Sequence, residues 1–303
     1  MALRYSATME AWIVFTLLAV VMQSVRTAAQ KQIAQSISVL AATLARYLFG
    51  LPFAVLYFLV LKNFYQGEAV TGNAVFYRAA ILAAISQIFA TVFLIKALTL
   101  RNFAVGTALA KTEALLTAIL GAVFFSAVLS VTAYLSVLVG VAGVLVASSW
   151  KLSLRDLTEN ESIKYGVGAG LGFALASLWI REASLSLDVS RLLSASAVLL
   201  FMVSIQTVMC LLYVLLSERD QLFLLMIRWK SCMFIGFTSQ AGSVGWFTAM
   251  SLQDAALVKT LGQTEFVVTL LITYFYFGER ITLKECLGIV LVAISVILLI
   301  AAT

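Results

Sequence analysis

Long apolar runs separated by short polar breaks follow one another along the whole chain. Each run is long enough, or nearly so, to cross about 30 Å of hydrocarbon as a helix. Runs such as Ile289–Ala302 do not alternate between apolar and polar positions, as the strands of a membrane barrel would. The pattern therefore predicts an all-α integral membrane protein of ten transmembrane helices. The predicted segments are 10–30, 37–61, 74–97, 102–125, 131–149, 163–184, 192–217, 229–251, 255–277 and 283–302.

The second half of the chain repeats the first when it is shifted by 152 residues. Thr112-Glu113 then coincides with Thr264-Glu265. Apolar coincidences are common in such a sequence, but a shared Thr-Glu inside two apolar runs is not. We therefore predict two five-helix repeats, residues 1–150 and 151–303. An odd number of helices inverts the second repeat in the membrane, as in many secondary transporters whose substrate site lies between the repeats near the midplane.

Composition supports the membrane assignment and argues against nucleic-acid binding, metal sites and ATP-driven pumping. Hydrophobic residues make up 63% of the 303 residues and charged residues 11%, against roughly half and a quarter in soluble domains. The net charge of +6 comes mostly from basic residues at the ends of apolar runs, which indicates topology signals and lipid contact and not nucleic-acid binding. Histidine is absent, the three cysteines are scattered, and no GxxxxGK[ST] motif is present. We expect no metal, no cofactor and no ATP-driven pumping.

Two glutamates lie in the middle of apolar segments at matching positions of the repeat, Glu113 in 102–125 and Glu265 in 255–277. A charged group at the centre of a bilayer costs roughly 2.5–3.5 kcal/mol even on lenient scales, so it normally faces a cavity or a partner. These carboxyl groups are our candidates for binding a substrate ammonium group or a coupling proton. The alternative is a structural role, with each glutamate tied to a buried lysine or arginine.

Other polar residues at membrane depth are weaker candidates for the same site. Lys111 and Lys259 share the glutamate segments, and Lys111 is two residues from Glu113, on roughly the opposite side of the helix. Pairing across helices or extension to the interface are both open for the lysines. Arg46 could neutralise a carboxylate or anchor a helix end. Polar and aromatic side chains that could line a cavity, or simply pack, are Gln87, Gln240, Trp179 and Trp246.

Three short motifs resemble one known family. They are Phe277-Gly278-Glu279-Arg280-Ile281-Thr282 followed by Leu287-Gly288, Ala45-Arg46-Tyr47, and Lys96-Ala97-Leu98. They are similar to motifs of the drug/metabolite transporter superfamily, in particular its EamA-type members, and the resemblance spans nearly the whole chain. The first half departs from the pattern, with Ser126-Ala127 where the second half has Gly278-Glu279. The prolines that family members often carry in the fourth and ninth helices are also missing here.

The resemblance implies ten helices in two inverted repeats and a central cavity lined by the first, third, fourth, sixth, eighth and ninth helices. It also implies a secondary-active transporter of a small polar metabolite, of the amino acid or derivative class, working by alternating access with proton coupling or exchange. We expect no enzymatic activity, although a membrane enzyme acting on lipid-linked groups and a non-transporting helper or receptor subunit remain alternatives.

The resemblance further implies a multi-pass protein of the bacterial inner membrane, surrounded by lipid and acting as a monomer or homodimer. The family usually keeps both termini in the cytoplasm. Basic residues on the predicted loops favour the reverse orientation, because Lys and Arg concentrate on the cytoplasmic side.

Overall fold

The structure is a computed structural model that describes residues 2–100, 109–147, 161–277 and 282–302. Within these ranges the chain forms thirteen α-helices and no strand. In chain order they are α1 (Ala2–Ile33), α2 (Val39–Leu48), α3 (Leu51–Phe64), α4 (Ala74–Thr99), α5 (Glu113–Phe124), α6 (Val131–Ala147), α7 (Glu161–Leu185), α8 (Arg191–Ser217), α9 (Asp220–Ile227), α10 (Trp229–Leu252), α11 (Ala255–Gly262), α12 (Glu265–Phe277) and α13 (Leu283–Ala302). The motif residues 278–281 lie outside the described ranges.

Six stretches of the described chain are long and apolar enough to cross a membrane: Ala11–Ile33, Val39–Phe64, Ala74–Thr99, Glu161–Leu185, Arg191–Ser217 and Leu283–Ala302. The pair α9 and α10, bent by 85° at their junction, makes a seventh if it is one span. Large apolar side chains such as Val14, Phe64 and Ile297 are 64–77% exposed, which suits contact with lipid tails. The prediction of an all-α membrane protein is confirmed, while the count of ten helices remains a prediction.

Both glutamate segments differ from the continuous helices that we predicted. Segment 255–277 consists of α11 and α12, separated by a turn at Gln263 and Thr264. In segment 102–125, a turn at Lys111 and Thr112 precedes α5. Each glutamate is therefore the first residue of a helix, where we expected it in the middle of one. The apolar average of each segment hides these breaks, although polar residues cluster at both of them, as in Lys111-Thr112-Glu113 and Gln263-Thr264-Glu265.

A third break divides the predicted segment 37–61 into α2 and α3. It lies at Phe49 and Gly50, and Pro52 occupies the first turn of α3. Proline has no N–H to donate and its ring clashes with the preceding turn of a helix, so it is tolerated at a helix start and not in its interior. A Cβ on Gly236 of α10 would meet the backbone of Phe49, so α10 passes directly against this break.

Three pairs of helices form the most extensive contacts: α1 with α10, α4 with α7, and α6 with α13. Each pair joins the first half of the chain to the second. Glycines allow the backbones to approach, since a Cβ on Gly172 would lie 2.9 Å from the Cβ of Ala90, and one on Gly245 would lie 2.8 Å from that of Ala19. Under the 152-residue shift α1 coincides with α7 and α4 with α10, so the first two pairs are equivalent to each other.

Polar contacts mark the two ends of the helix bundle. At one end, which we call the Asn73 end, Asn73 donates a 2.6 Å hydrogen bond to the carbonyl of Ser186. At the opposite Ser38 end, Ser38 bonds to Glu218, and its backbone N–H donates to Gln221 at 2.9 Å. The Glu113 segment ends, and the Glu265 segment begins, at the Asn73 end, where Phe125 and Ala255 line one cavity together with Asn73.

Candidate functional site

Two buried ion pairs join the halves of the chain. The Nζ of Lys259 lies 3.3 Å from Oε2 of Glu113, and their side chains are 6% and 10% exposed. Lys111, which is partly buried, forms the second pair with Glu265, and their side chains are 22% and 7% exposed. Each glutamate therefore pairs with a lysine from the other half, which is the arrangement of the structural alternative, and Lys111 takes the first of its two open alternatives, pairing across helices. The lysines themselves are not equivalent under the shift, which maps Lys111 onto Gln263.

The helix breaks explain how two carboxylates are tolerated here. The first N–H groups of a helix have no partner within it, and the helix dipole gives this end a partial positive charge. Glu113 begins α5 and Glu265 begins α12, so each carboxylate lies at such an end. The breaks thus stabilise the negative charges locally, in addition to the lysines.

Gln23 of α1 links one ion pair to an aromatic residue between the two pairs. Its Nε2 donates to Oε2 of Glu265 at 2.7 Å, and its Oε1 accepts a 2.9 Å bond from the indole of Trp246. The face of the same indole lies 4.3 Å from Nζ of Lys259, a cation–π distance. Trp246 therefore connects Glu265, through Gln23, with the Lys259–Glu113 pair. Gln23 was not among our predicted residues, although an amide within the first apolar run was a signal for it.

Two arginines extend the charged region beyond the ion pairs. Arg26 lies three residues after Gln23 on the same face of α1, and it is close enough to Arg46, Glu265 and Glu113 for their charges to interact. Both arginines are only 3% exposed. Nη1 of Arg46 donates to Thr91 at 2.9 Å, and its guanidinium lies 5.3 Å from the ring of Tyr47. Arg46 is therefore a buried cation in the last turn of α2, where the partial negative charge of the helix end also favours it.

The remaining predicted residues lie apart from these charges. Gln87 accepts a 2.9 Å bond from Gln206 and joins α4 to α8. Gln240 packs against Gly50 at the break between α2 and α3. Trp179 stacks edge-on against Phe125, with ring centroids 4.7 Å apart. In the described part of the chain none of these three residues forms a hydrogen bond with the two ion pairs, so their place in a substrate site stays a prediction.

A cavity of about 810 Å³ opens at the Asn73 end, where Thr117 and Ala118 of α5 contribute to its wall. Thr117 is one turn beyond Glu113, so the cavity reaches close to that ion pair. At its rim Arg181 donates to the carbonyls of Met250 and Gln253 at 2.9 and 2.5 Å and pairs with Asp254 at 3.0 Å. Arg181 was not among the predicted site residues.

The fold is similar to that of proteins of known structure. One solved structure, titled only "Crystal structure of protein", superposes with a TM-score of 0.70 over 97% of this chain and 98% of that chain, at 13% sequence identity. A comparison with curated proteins finds no significant match.

A family model settles the membership. The model of the EamA-like transporter family matches the chain twice, at residues 10–149 and 162–301. The two matched ranges are offset by 152 residues (162 − 10), and together they cover most of the chain. The chain therefore belongs to the EamA-like transporter family.

Proposed function

We propose that this protein is a secondary-active transporter of a small polar metabolite and works by alternating access. The observation that carries the proposal is the pair of crossed ion pairs, Glu113–Lys259 and Glu265–Lys111, buried between the two halves of the chain. Charged residues are retained at membrane depth chiefly where they serve a substrate or ion pathway. Family membership supports transport as the activity.

The proposed architecture is ten spans in two inverted repeats, residues 1–150 and 151–303. Six spans and the bent α9–α10 pair account for seven. The apolar helices α5 and α6, and the combined α11 and α12, would supply the other three. The equal offset of the two family matches and the equivalence of α1–α10 with α7–α4 both support the repeat.

In this mechanism the two ion pairs between the halves break and form again during transport. A rocking motion of one repeat against the other changes the distance between each glutamate and its lysine, because the partners belong to different repeats. A proton on Glu113 or Glu265 would remove the attraction to its lysine and favour separation. Discontinuous helices near the midplane, as in α11–α12, are typical of such sites.

The direct test is uptake into liposomes by the purified protein. We expect Glu113→Gln and Glu265→Gln each to reduce flux at least tenfold, because a neutral amide cannot hold the lysine. Glu285→Gln is the matched control, since in the part of the chain that the structure describes the Glu285 carboxylate only accepts hydrogen bonds from Thr282 at the start of α13 and does not line the cavity. Unchanged flux with both buried glutamates replaced would contradict the assignment.

Location and orientation are separate parts of the proposal. We propose the bacterial inner membrane with both termini in the cytoplasm, as the family resemblance implies, although the basic-residue pattern favours the opposite. A reporter active only in the cytoplasm, fused after Thr303, distinguishes the two orientations.

A further inference from the structure

The central charges of the described chain do not balance. Lys111, Lys259, Arg26 and Arg46 supply four positive charges, whereas Glu113 and Glu265 supply two negative ones. Within the described ranges no carboxylate lies within 4 Å of either arginine. Neither arginine therefore contacts a carboxylate in this part of the chain, and Glu265 and Glu113 offset the charge of Arg26 only from a greater distance. A buried cation without a contacting counter-ion is costly in a low-dielectric environment.

Unpaired donors occur at the same place. Nε of Arg26 and Nε of Arg46 are both buried without a hydrogen-bond acceptor. Gln30, one turn beyond Arg26 on α1, leaves its Nε2 unpaired as well. Buried donors normally find partners, and a cluster without them indicates an acceptor-rich group that the site is built to receive. Guanidinium forks match the oxygen atoms of carboxylates and phosphates, which accept two parallel bonds.

The two glutamates are already engaged. Glu113 contacts Lys259, and Glu265 contacts both Lys111 and Gln23. Neither carboxylate is available to a substrate ammonium group unless an ion pair opens. A solute that binds this state gains more from the arginines than from the glutamates, so negative charge on the solute is favoured.

We propose that the transported solute is an organic anion, and that Arg26 and Arg46 bind its carboxylate or phosphate group. This inference rests on the proposed transport function and narrows its substrate class. It assigns the lysine–glutamate pairs to coupling between the halves and the arginine pair to substrate recognition. A zwitterion with one carboxylate and one amine fits less well, because it leaves the excess positive charge uncompensated.

Thermal unfolding of the purified protein in detergent, at constant ionic strength, tests the charge preference without requiring transport. The probes are succinate, glycerol 3-phosphate and inorganic phosphate, against succinamide, glycerol and putrescine. We expect the Tm to rise by several degrees with succinate or glycerol 3-phosphate and to stay constant with the neutral and cationic probes, because binding to the folded state stabilises it. A response to the diamine or the neutral probes, or to inorganic phosphate alone, would overturn the proposal.

Variants then locate the response. Arg26→Gln and Arg46→Gln should each weaken the apparent affinity for the responding anion at least tenfold, while Arg46→Lys should retain part of it. Without anion these glutamine variants should melt at the same temperature as the parent or higher, because they remove repulsion between buried cations. If the arginines only held helices together, the unliganded protein would be destabilised instead. Arg78→Gln, at an exposed ion pair, should leave the anion response unchanged.

The outcomes separate this inference from the proposed function. Anion binding lost in the arginine variants, without flux into liposomes, would support the site and refute transport. Flux of neutral or cationic solutes that is unaffected by Arg26→Gln would support transport and refute the anion site.

Discussion

At the scale of single residues, the central feature is a carboxylate that is largely buried, with its side chain 10% exposed. Glu113 compensates with Lys259 at 3.3 Å and with the start of α5. A buried pair of this kind adds little net stability, because desolvation offsets most of the attraction. Removing one partner is different, because it leaves the other charge uncompensated.

A double-mutant cycle should show that removing one partner of the Glu113–Lys259 pair costs more stability than removing both. We expect Glu113→Gln to reduce the free energy of unfolding by about 3 kcal/mol, because Lys259 loses its counter-ion. Glu113→Gln combined with Lys259→Met should return to within about 1 kcal/mol of the parent, since no unpaired charge remains. The measurement is unfolding in mixed micelles titrated with SDS.

The exposed pair of Arg78 and Glu182 provides the control for this cycle, with side chains 62% and 27% exposed. Glu182→Gln should change stability by less than about 1 kcal/mol. A double mutant that is as unstable as Glu113→Gln alone would contradict the assignment of the loss to an unpaired lysine.

Ser126 adopts a left-handed backbone conformation, with φ of 52°. It follows the end of α5, where Ala127 bonds back to the carbonyl of Gly121. The shift of 152 residues places it opposite Gly278, and glycine is the residue that suits this position after a helix. We expect Ser126→Gly to raise the free energy of unfolding by about 0.5–1 kcal/mol, because the Cβ strain outweighs the entropy that glycine adds to the unfolded chain.

Ser130 tests whether the effect of Ser126→Gly is specific to the backbone conformation. The Oγ of Ser130 accepts a 3.2 Å bond from the N–H of Ala133 at the start of α6. Ser130→Ala should therefore destabilise by about 1 kcal/mol, the opposite sign. A loss of stability in Ser126→Gly would show that the serine side chain matters more than the backbone angle.

Sequence reasoning found the charged residues of the site but not their arrangement. Glu113, Glu265, Lys111 and Lys259 were recognisable because a charge inside an apolar run is rare. Which lysine meets which glutamate depends on helix packing, and local spacing does not encode that. Gln87 and Trp179 were chosen by the same reasoning, and their contacts in the structure are with Gln206 and Phe125 and not with the ion pairs. A polar or aromatic residue at membrane depth can also serve packing between helices, so their role in a site stays a prediction.

At the scale of helices, glycine sets how closely α4 and α7 approach. The Cβ that Gly172 lacks would lie 2.9 Å from the Cβ of Ala90 and 3.0 Å from the carbonyl oxygen of Ser86. Neither neighbour is the flexible end of a side chain, so a larger residue must separate the two helices. In a membrane this contact depends on close van der Waals packing, because lipid is as apolar as the helix surface.

We therefore expect Gly172→Leu to lower the free energy of unfolding by about 3 kcal/mol or to prevent stable insertion. Gly67→Leu is the matched control, because a Cβ on Gly67 would meet no atom within 4 Å. The measurement is the yield and melting temperature of the two purified variants. Equal behaviour would show that α4 and α7 do not need this approach.

The breaks of the long segments explain why helix boundaries were predicted less well than helix existence. The turn at Gln263 and Thr264 lies in a segment that is apolar on average, so the few polar residues around it do not show which of them ends a helix. The turn packs closely against α6, since a Cβ on Gly140 would collide with the side chains of Gln263 and Ser295. Such a contact becomes visible only once the helices are packed.

At the scale of the whole molecule, the most extensive helix contacts lie between the two halves of the chain and not within either half. The extensive contacts of α1 with α10, α4 with α7 and α6 with α13 all join the first half to the second, and so do both buried ion pairs. Helices of the two halves alternate in the bundle, as in two intertwined subunits, and do not form two separate domains that touch at one surface. The halves should therefore depend on each other for stability while tolerating a cut between them.

A split protein tests this dependence. We expect the part ending after α6 and the part beginning before α7, expressed separately, to aggregate or to be degraded, because each exposes the small-residue faces that the other covers. Expressed together, they should insert, associate and purify as a one-to-one complex through a tag on either part. Gly172→Leu in the second part should weaken that association, whereas Gly67→Leu in the first should not. If each part alone were monodisperse and resisted proteolysis, the cross-half contacts would not be what holds the molecule together.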